Sequence, residues 1–332
     1  MTSCILLAMA VNSVQTTPTT DLVKVLDALE VKGFRGVIYV EREGKEAFFH
    51  AVGPADPESK RAISRSTGIE IGSIVKPMVG TAVYKLAEEG KLNLIDSISK
   101  YFNGVGDDKQ TITIDMLLNH RSGFQDTFGN DYEPMKRDDL MKLMLNSKLI
   151  FAPGARNKYS NSGYSMLATI VEKVSHEPLE QHISKTEFQR LKLTHTGYVI
   201  PKWNKRDIVV GLEPSGKSFG TPLDHFWFPD GPGWNLRGNG GMITTVGELA
   251  KWCYALHNGQ LMKPESYRLF APAFSAEPPP DKFWWAAGGN GVFNCVLAYN
   301  PAKKLTLVAF SANGKFEIEK NLKEVFPLVR KL

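Results

Sequence analysis

The sequence predicts an α/β fold of the α+β type, with an antiparallel sheet built from the chain termini and flanked by helices. Residues 35–53 and 292–314 each contain two extended runs around a short polar turn, which is the pattern of a β-hairpin. Between them, over about 100–270, helical segments alternate with loops rich in Gly, Pro and aromatic residues. We therefore expect both ends of the chain to share one sheet, and the middle to form a second, mainly helical part.

Helices are predicted next to both hairpins. Residues 21–33 have an Asp near the start, apolar residues at helical spacing and a closing Gly. A longer helix begins at Ser73, carries an apolar stripe to Leu86 and stops at Gly90. Residues 317–332 close the chain as a helix interrupted near Pro327. These helices supply the apolar faces that cover a sheet.

Composition excludes several classes of protein. The 332 residues are 42% hydrophobic and 23% charged, which are ordinary globular values and allow a large core. The net charge of +5 comes from bases interspersed with acids, so no basic stripe indicates a nucleic-acid partner. No segment is apolar for long enough to predict a transmembrane span. The sequence also has neither a dinucleotide-binding fingerprint nor a P-loop.

The N-terminus resembles a clipped signal peptide. Residues 5–11 are apolar, a polar stretch follows, and small residues near Ser13 offer a cleavage site, although no Lys or Arg precedes the run. We assign residues 1–20 as a signal remnant or flexible N-terminus. This favours a periplasmic or secreted protein, and a packed N-terminus in a cytoplasmic protein is the alternative.

The three cysteines have no spacing typical of a disulfide framework or a metal site. We expect Cys253 and Cys295 to be buried free thiols rather than a bridge.

Ser73 and Lys76 form a candidate catalytic pair. A serine hydroxyl needs a nearby base and donors aimed at the oxyanion, and residues three apart on a helix share a face. The spacing alone is weak evidence, because Ser97 and Lys100 repeat it in a polar connector. Ser73, by contrast, opens a long apolar helix. Context therefore favours the first copy as functional and the second as structural.

A tyrosine adds to this pair. Tyr-x-Asn occurs at Tyr101 in the same connector, and again at Tyr159 in a Gly/Pro/Asn loop just before a predicted helix. Loops held by a rigid scaffold often carry catalytic side chains. We therefore group Tyr159 and Asn161 with Ser73.

Several segments in order resemble the serine β-lactamase and penicillin-binding-protein superfamily, closest to class C β-lactamases, DD-peptidases and related esterases. They are GSIVK (72–76), MLLNHRSGF (116–124), APGARNKYSNSGYSMLATIVEKVS (152–175), RGNGGMITTVGELAKW (237–252) and GGNGVFNCVLAYNPAKKLTLVAFSANG (288–314). The resemblance implies one β-lactamase/transpeptidase-like domain over 21–332. Its sheet part would be about 21–75 and 280–332, and its helical part about 76–279.

The resemblance also implies roles for these side chains. Ser73 would be the acylated nucleophile, and its N–H would form half of the oxyanion hole. Lys76 and Tyr159 would move protons, with Tyr159 as the general base for attack and for the later water. Asn161 would bind the substrate amide or the lysine. No His/Asp/Glu cluster has metal-ligand spacing, so no metal is expected, and the acyl-serine route needs no cofactor. The sequence leaves the oligomeric state open.

The sequence departs from the family at its third motif, Lys-Thr-Gly or His-x-Gly. Alignment places Ala287-Gly288-Gly289 there, with the Asn290 N–H as second oxyanion donor. Without that cation we expect poor hydrolysis of penicillins and a site suited to apolar substrates. Candidates for an apolar wall are residues 226–228 and the tryptophans Trp234, Trp284 and Trp285. Candidates for a replacement cation are Arg237 and Lys315.

Three histidines attract attention. His120 passes for a triad base, but a packed, hydrogen-bonded role is favoured. His195 lies in a literal His-Thr-Gly, yet it follows a connector and is also interpreted as structural. His225 and its neighbour Asp224 are expected near the cleft without a defined role.

The predicted function is hydrolysis of an ester, a D-amino-acid amide or a β-lactam-like ring through an acyl-serine. The substrate is a small or peptide-like molecule. The alternative is a catalytically degenerate penicillin-binding-like protein that binds or acts as a scaffold.

Overall fold

The computed structural model describes residues 18–274 and 283–332, and the signal-like run lies outside them. Within these ranges the strands are β1 (Gly36–Arg42), β2 (Lys45–Val52), β3 (Pro54–Asp56), β4 (Arg61–Ala62), β5 (Ile69–Glu70), β6 (Gly211–Leu212), β7 (Ser218–Gly220), β8 (Trp227–Phe228), β9 (Gly231–Pro232), β10 (Ile243–Thr244), β11 (Trp284–Gly289), β12 (Asn294–Asn300) and β13 (Leu305–Ser311).

The α-helices of the same ranges are α1 (Pro18–Val31), α2 (Val75–Glu88), α3 (Ile114–Leu118), α4 (Arg137–Asn146), α5 (Asn161–Ser175), α6 (Leu179–Ile183), α7 (Val246–His257), α8 (Pro264–Phe274), α9 (Ile318–Asn321) and α10 (Val325–Val329). Single turns of 3₁₀-helix include Gly72–Ile74, Ile98–Lys100 and Leu322–Glu324, and Ser184–Phe188 forms a π-helical turn. None of the helices described here has the length and apolar character needed to cross a bilayer.

The two ends of the chain meet in one antiparallel sheet, as predicted. Its order is β11-β12-β13-β1-β2, so the C-terminal hairpin joins the N-terminal hairpin through β13 and β1. The register of that junction pairs Gly36 with Ser311 and Arg42 with Leu305. Strand β11 lies at an edge of this sheet, and this edge faces the turn at Gly72–Ile74.

Both faces of the sheet are covered, and each face packs against its own hydrophobic core. The larger core joins one face to α2, α5 and α7 and includes Val37, Val79 and Leu297. The smaller core joins the other face to α1 and α10 and includes Leu22, Ile38 and Val325. The terminal helices therefore cover the face opposite the helical part of the molecule.

Helix α2 follows the prediction closely. It ends at Glu88, and Gly90 follows with φ of 70°, a left-handed conformation that favours glycine. Pro77 lies in its first turn, where a missing N–H costs little. Residues 75–86 are all buried, so Lys76 lies within the protein rather than at its surface.

The C-terminal helix differs from its prediction. The break falls at the 3₁₀ turn Leu322–Glu324, and Pro327 lies within the first turn of α10. A proline at the start of a helix removes no intrahelical hydrogen bond, so it begins the second helix instead of interrupting the first.

Candidate active site

Ser73 lies at the junction of strand and helix. A single 3₁₀ turn, Gly72–Ile74, leads from β5 into α2, and Gly72 has φ of 49°, which a side chain rarely adopts. The partial positive charge at the N-terminus of α2 acts on this turn. The next helical turn brings Lys76 back toward Ser73.

Lys76 binds three oxygen atoms. Its Nζ donates to Ser73 Oγ at 2.8 Å, to Asn161 Oδ1 at 2.7 Å and to the carbonyl of Asn239 at 2.8 Å. The amide and carbonyl oxygens can only accept. A neutral amine would therefore keep its two hydrogens on Asn161 and Asn239 and direct its lone pair at the Ser73 hydroxyl.

Burial makes this neutral form accessible. Lys76 is 3% exposed, and burial lowers its pKa to about 7, although Asp126 and Asp131 act in the opposite direction. An amine with a pKa near neutrality is suited to accept a proton from a serine.

Tyr159 completes the contacts of the nucleophile. Its hydroxyl donates to Ser73 Oγ at 2.6 Å, and Lys76 Nζ lies 4.8 Å from the centre of its ring. Burial of the hydroxyl end raises the pKa of Tyr159 to about 12, with smaller contributions from Asp126 and Asp131, while its bond to Ser73 lowers the pKa. The resting tyrosine is therefore protonated at neutral pH.

The start of α5 positions Tyr159 and Asn161. The residue between them, Ser160, is the N-cap, and its hydroxyl accepts the N–H of Gly163 at 3.1 Å. Asn161 is also held by its backbone, which donates to Asp126 at 2.9 Å. Ser160 therefore caps the helix, while Tyr159 on one side of it contacts Ser73 and Asn161 on the other side contacts Lys76.

The second Ser-x-x-Lys copy forms no such site. Ser97 donates to the carbonyl of Gln110 at 2.5 Å, and Lys100 pairs with Asp96 at 2.7 Å. Tyr101 also donates to Asp96, at 2.7 Å. These contacts match the structural role expected for this copy.

Edge strand β11 lies against the nucleophile's turn. A Cβ on Gly288 would stand 2.2 Å from the carbonyl oxygen of Ile71 and 2.5 Å from the backbone nitrogen of Ser73. A Cβ on Gly72 would stand 2.4 Å from the backbone nitrogen of Gly289. Both glycines are therefore required by a close approach of two backbones, with the nitrogens of Ser73 and Gly289 at the contact.

The register of β11 corrects the alignment of the third motif by one residue. Gly288 faces the nucleophile's turn, and side chains two apart on a strand share a face. Ala286 accordingly packs against the larger core on that face, whereas Ala287 packs against the core beneath the terminal helices. On this face the cation that the family resemblance implies would stand at Ala286, although both alanines line the cleft.

The structure also corrects the role of Asn290. Its N–H donates to the carbonyl of Phe293 at 3.2 Å and closes the β11–β12 turn, so this donor is already engaged within the turn. The side-chain oxygen of Asn290 accepts the N–H groups of Val292 and Phe293 at 3.1 and 3.0 Å. Asn290 is thus a turn residue, and Gly289 is the residue whose nitrogen lies beside Gly72.

The cleft has a volume of about 360 Å³. Its described lining residues are Ser73, Lys76, Pro77, His120, Asn157, Tyr159, Trp285, Ala286 and Ala287. Trp285, 46% exposed, is the one candidate for an apolar wall among them. Trp284 and Trp234 are buried elsewhere, and residues 226–228 are not among the lining residues.

The replacement cations are also absent from this lining. Arg237 is 4% exposed and pairs with Asp230 at 2.7 Å. Lys315 is exposed and does not contribute to the described lining of the cleft.

Of the three histidines considered in the sequence, His195 and His225 are not among the described residues that line the cleft, whereas His120 is. His195 bonds with Thr194 and lies 3.7 Å from Glu248, away from the described cleft lining, and Asp224 pairs with Lys205. His225 stacks on Phe219 and is likewise not among the lining residues.

His120 lines the cleft, with its ring centre 4.6 Å from that of Tyr159. Its Nδ1 accepts the N–H of Ser160 at 3.2 Å, and burial, assisted by Lys76, lowers its pKa to about 4. His120 is therefore a packed, hydrogen-bonded and neutral histidine, as the sequence predicts.

Sequence reasoning missed two contributors. The Asn239 carbonyl fixes Lys76, and Glu70 lies behind the nucleophile with 1% exposure. The Gly-rich segment around Asn239 is visible in the sequence, but no sequence signal tells that a backbone carbonyl will face a lysine.

Comparisons with known proteins show the family to which the chain belongs. The family model described as Beta-lactamase matches residues 24–323. Putative penicillin-binding protein PbpX of Bacillus subtilis is 31% identical over 300 residues, covering 87% of this chain and 73% of that protein. The chain therefore belongs to the beta-lactamase family, a family of serine hydrolases.

Two further proteins are similar to it. Protein flp of Staphylococcus aureus is 28% identical over 242 residues, covering 70% of this chain, which spans only 46% of that relative. The solved D-amino acid amidase of Ochrobactrum anthropi SV3, in complex with L-phenylalanine, has a TM-score of 0.79 at 16% identity and covers 94% of this chain and 98% of its own. This structural likeness confirms the β-lactamase/transpeptidase-like fold.

Proposed function

We propose that this protein hydrolyses esters or amides with an apolar group next to the scissile bond, through an acyl intermediate on Ser73. The observation that carries the proposal is the position of Ser73 Oγ, 2.8 Å from Lys76 Nζ and 2.6 Å from the Tyr159 hydroxyl. These distances are within reach for proton transfer.

In the proposed acylation, the neutral Lys76 amine takes the Ser73 proton while Oγ bonds to the carbonyl carbon. The carbonyl oxygen becomes an oxyanion, which the N–H groups of Ser73 and Gly289 stabilise. The leaving group departs with the bond electrons and takes the proton of the Tyr159 hydroxyl. The products are the acyl-enzyme, a lysine ammonium and a tyrosinate stabilised by that ammonium.

Deacylation reverses these transfers. The Tyr159 oxygen takes a proton from water as the water attacks the acyl carbon, and Ser73 Oγ leaves with the proton held by Lys76. Tyr159 is then the base for water, as the family resemblance implies, whereas Lys76 replaces it as the base for attack. The low pKa of Lys76 and the high pKa of Tyr159 favour this division.

The lining of the cleft supports an apolar substrate. Lys76 is the only cation among the lining residues that the structure describes, and its hydrogens are committed to protein oxygens. Ala286 offers no charge to a substrate carboxylate. Trp285 also borders a neighbouring cavity of about 410 Å³, whose other lining residues are the apolar Phe283, Val296, Leu322 and Phe326 and the charged Glu319 and Arg330.

The test compares a p-nitrophenyl ester, D-phenylalanine amide and nitrocefin, each with the parent protein and with Ser73→Ala. We expect turnover of the ester or amide, slow nitrocefin hydrolysis, and an acyl adduct on Ser73 by mass spectrometry. Absence of both adduct and Ser73-dependent turnover with all three reagents refutes the proposal.

One observation favours a second candidate, a protein that binds such ligands without turning them over. Ala286 leaves the site without the family's third polar group. A stable Ser73 adduct with no release of product over hours supports this binding function over hydrolysis.

A further inference from the structure

Glu70 connects three segments that surround the nucleophile. Its Oε1 accepts the N–H of Gly72 at 3.1 Å and that of Gly241 at 3.3 Å. Its Oε2 accepts the side-chain amide of Asn290 at 2.9 Å. One carboxylate thus holds the turn before Ser73, the Gly-rich loop after Asn239 and the turn that ends β11.

This carboxylate is buried without a cationic partner among residues 18–274 and 283–332. Glu70 is 1% exposed, and the hydrogen bonds it accepts within those ranges come from backbone and amide N–H groups. The titratable groups around it are Asp131, Tyr132, Tyr198 and Cys295. A buried acid with no counter-charge is costly, and here only N–H donors stabilise it.

We propose that Glu70 is a positioning residue for the oxyanion hole, fixing the end of β11 against the Ser73 turn through Asn290. The inference rests on the proposed function, since the hole matters only if Ser73 is acylated. Gly289, whose nitrogen lies against Gly72, is directly followed by Asn290, so the Glu70–Asn290 bond sets the distance between the two oxyanion donors.

This arrangement makes the geometry of the oxyanion hole depend on pH. Burial and the nearby Asp131 raise the pKa of Glu70 to about 7, against the effect of the Gly72 and Gly241 N–H groups. Below that pH the carboxyl gains a proton and loses acceptor capacity. Lys76 becomes an ammonium over the same range, so two protonations remove activity on the acid side.

The test exchanges the donor and the acceptor of the hydrogen bond between Asn290 and Glu70. Glu70→Gln places an amide against the amide of Asn290, and Asn290→Asp places a carboxylate against Glu70. Each variant should lower kcat/KM by about 10- to 100-fold, less than the loss of a whole oxyanion donor. The double variant pairs an amide with a carboxylate again and should recover activity to within about threefold of the parent.

The pH profile gives a readout that a purely structural role would not change. The log of parent kcat/KM should fall with a slope approaching 2 below pH 7. In the double variant the slope should be 1, because the carboxylate introduced at position 290 is kept ionised by the new amide at position 70, the Tyr132 hydroxyl and the N–H groups of Val292 and Phe293. Glu187→Gln, at a buried acid bonded to Trp252 at 2.8 Å, is the control and should retain the parent slope.

Hydrogen exchange decides the inference even if the protein hydrolyses none of the three reagents. At pH 8, amides of the 288–293 turn should exchange at least tenfold faster in Glu70→Gln, and at the parent rate in the double variant. If Glu70→Gln does not fold, Asn290→Asp alone tests the same bond. Unchanged exchange in folded single variants, or a double variant no better than either, overturns the role of Glu70.

Discussion

Single atoms at Ser73 decide what this site can do. The oxygens of Asn161 and Asn239 can only accept hydrogen bonds, so they fix two hydrogens of Lys76. The hydroxyl of Tyr159 is fixed by its hydrogen bond to Ser73. The two proton carriers therefore differ in resting state, one close to neutral amine and the other a protonated phenol. Substitutions at each should affect different halves of the reaction.

Lys76→Arg should abolish acylation, because a guanidinium remains charged and cannot accept the serine proton. We expect the rate with a p-nitrophenyl ester to fall by about 10³-fold, within the range for a general base. Tyr159→Phe should still acylate, since p-nitrophenolate leaves without a proton, and should then accumulate acyl-enzyme. Rapid-quench mass spectrometry measures both, and the reverse pattern would assign the first base to Tyr159.

Acylation of the parent should also depend on pH in a defined direction. Because the folded-state pKa of Lys76 is lowered to about 7, the amine is neutral above this pH and charged below it. The acylation rate should therefore be lost as pH falls through 7. A stopped-flow profile that is flat from pH 5 to 8 would contradict the role of Lys76.

Restoring the missing cation tests the strand register. Ala286→Lys should raise penicillin acylation of Ser73 by about tenfold, the value of a modest charge-assisted contact. Ala287→Lys is the matched control, because the side chain at position 287 packs toward the core beneath the terminal helices and should give a smaller gain than Ala286→Lys. A gain from Ala287→Lys alone would return the motif to its original alignment.

At the scale of elements, the contact between β11 and the 3₁₀ turn is the most constrained feature. Gly288→Ala would place a methyl 2.2 Å from the Ile71 carbonyl oxygen and must push the strand away. We expect a loss of about 1–3 kcal/mol in the free energy of unfolding and at least a 100-fold fall in kcat/KM. Urea denaturation and steady-state kinetics measure the two effects.

Gly247→Ala is the control for this substitution. Gly247 lies in α7, and its nearest neighbour to a new Cβ is the Tyr39 hydroxyl at 3.8 Å. Alanine in a helix should stabilise by about 0.4–1 kcal/mol and leave kinetics unchanged. Equal losses in both variants would mean that Gly288 has no special role.

The same elements show what sequence reasoning could reach. Helix α2 and the two hairpins were predictable because their apolar spacing is strong and glycines mark their ends. The face of β11 was not, because Ala286, Ala287 and two glycines have no alternation from which a register can be derived. The direction of the Asn290 N–H depended on a turn that the sequence leaves open.

The catalytic residues were predictable only in part. Order along the chain and family resemblance grouped Ser73, Lys76, Tyr159 and Asn161, and the structure brings all four together. Glu70 escaped notice because its partners lie far apart in sequence. A contact of this kind becomes visible only when the fold is known.

On the scale of the whole molecule, the two cores depend on one another through the sheet. Val325 in α10 is fully buried in the smaller core, on the face opposite the cleft. Val325→Asp would bury an unpaired carboxylate and should lower the free energy of unfolding by about 3–5 kcal/mol. Lys323→Asp, exposed in the adjacent turn, should stay within about 0.5 kcal/mol of the parent in thermal unfolding. Equal effects would mean that the terminal helices contribute little.

The contact of Gly72 with Gly288 also has a consequence for how the protein acquires activity. The nucleophile and the strand that faces it come from opposite ends of the chain, and long-range pairings of this kind form slowly in folding. A refolding chain should regain its helical circular dichroism before it can be acylated at Ser73. Dilution from urea into a fluorescent ester, with ellipticity followed in parallel, should show acylation as the later phase, so that the catalytic signal reports closure of the sheet.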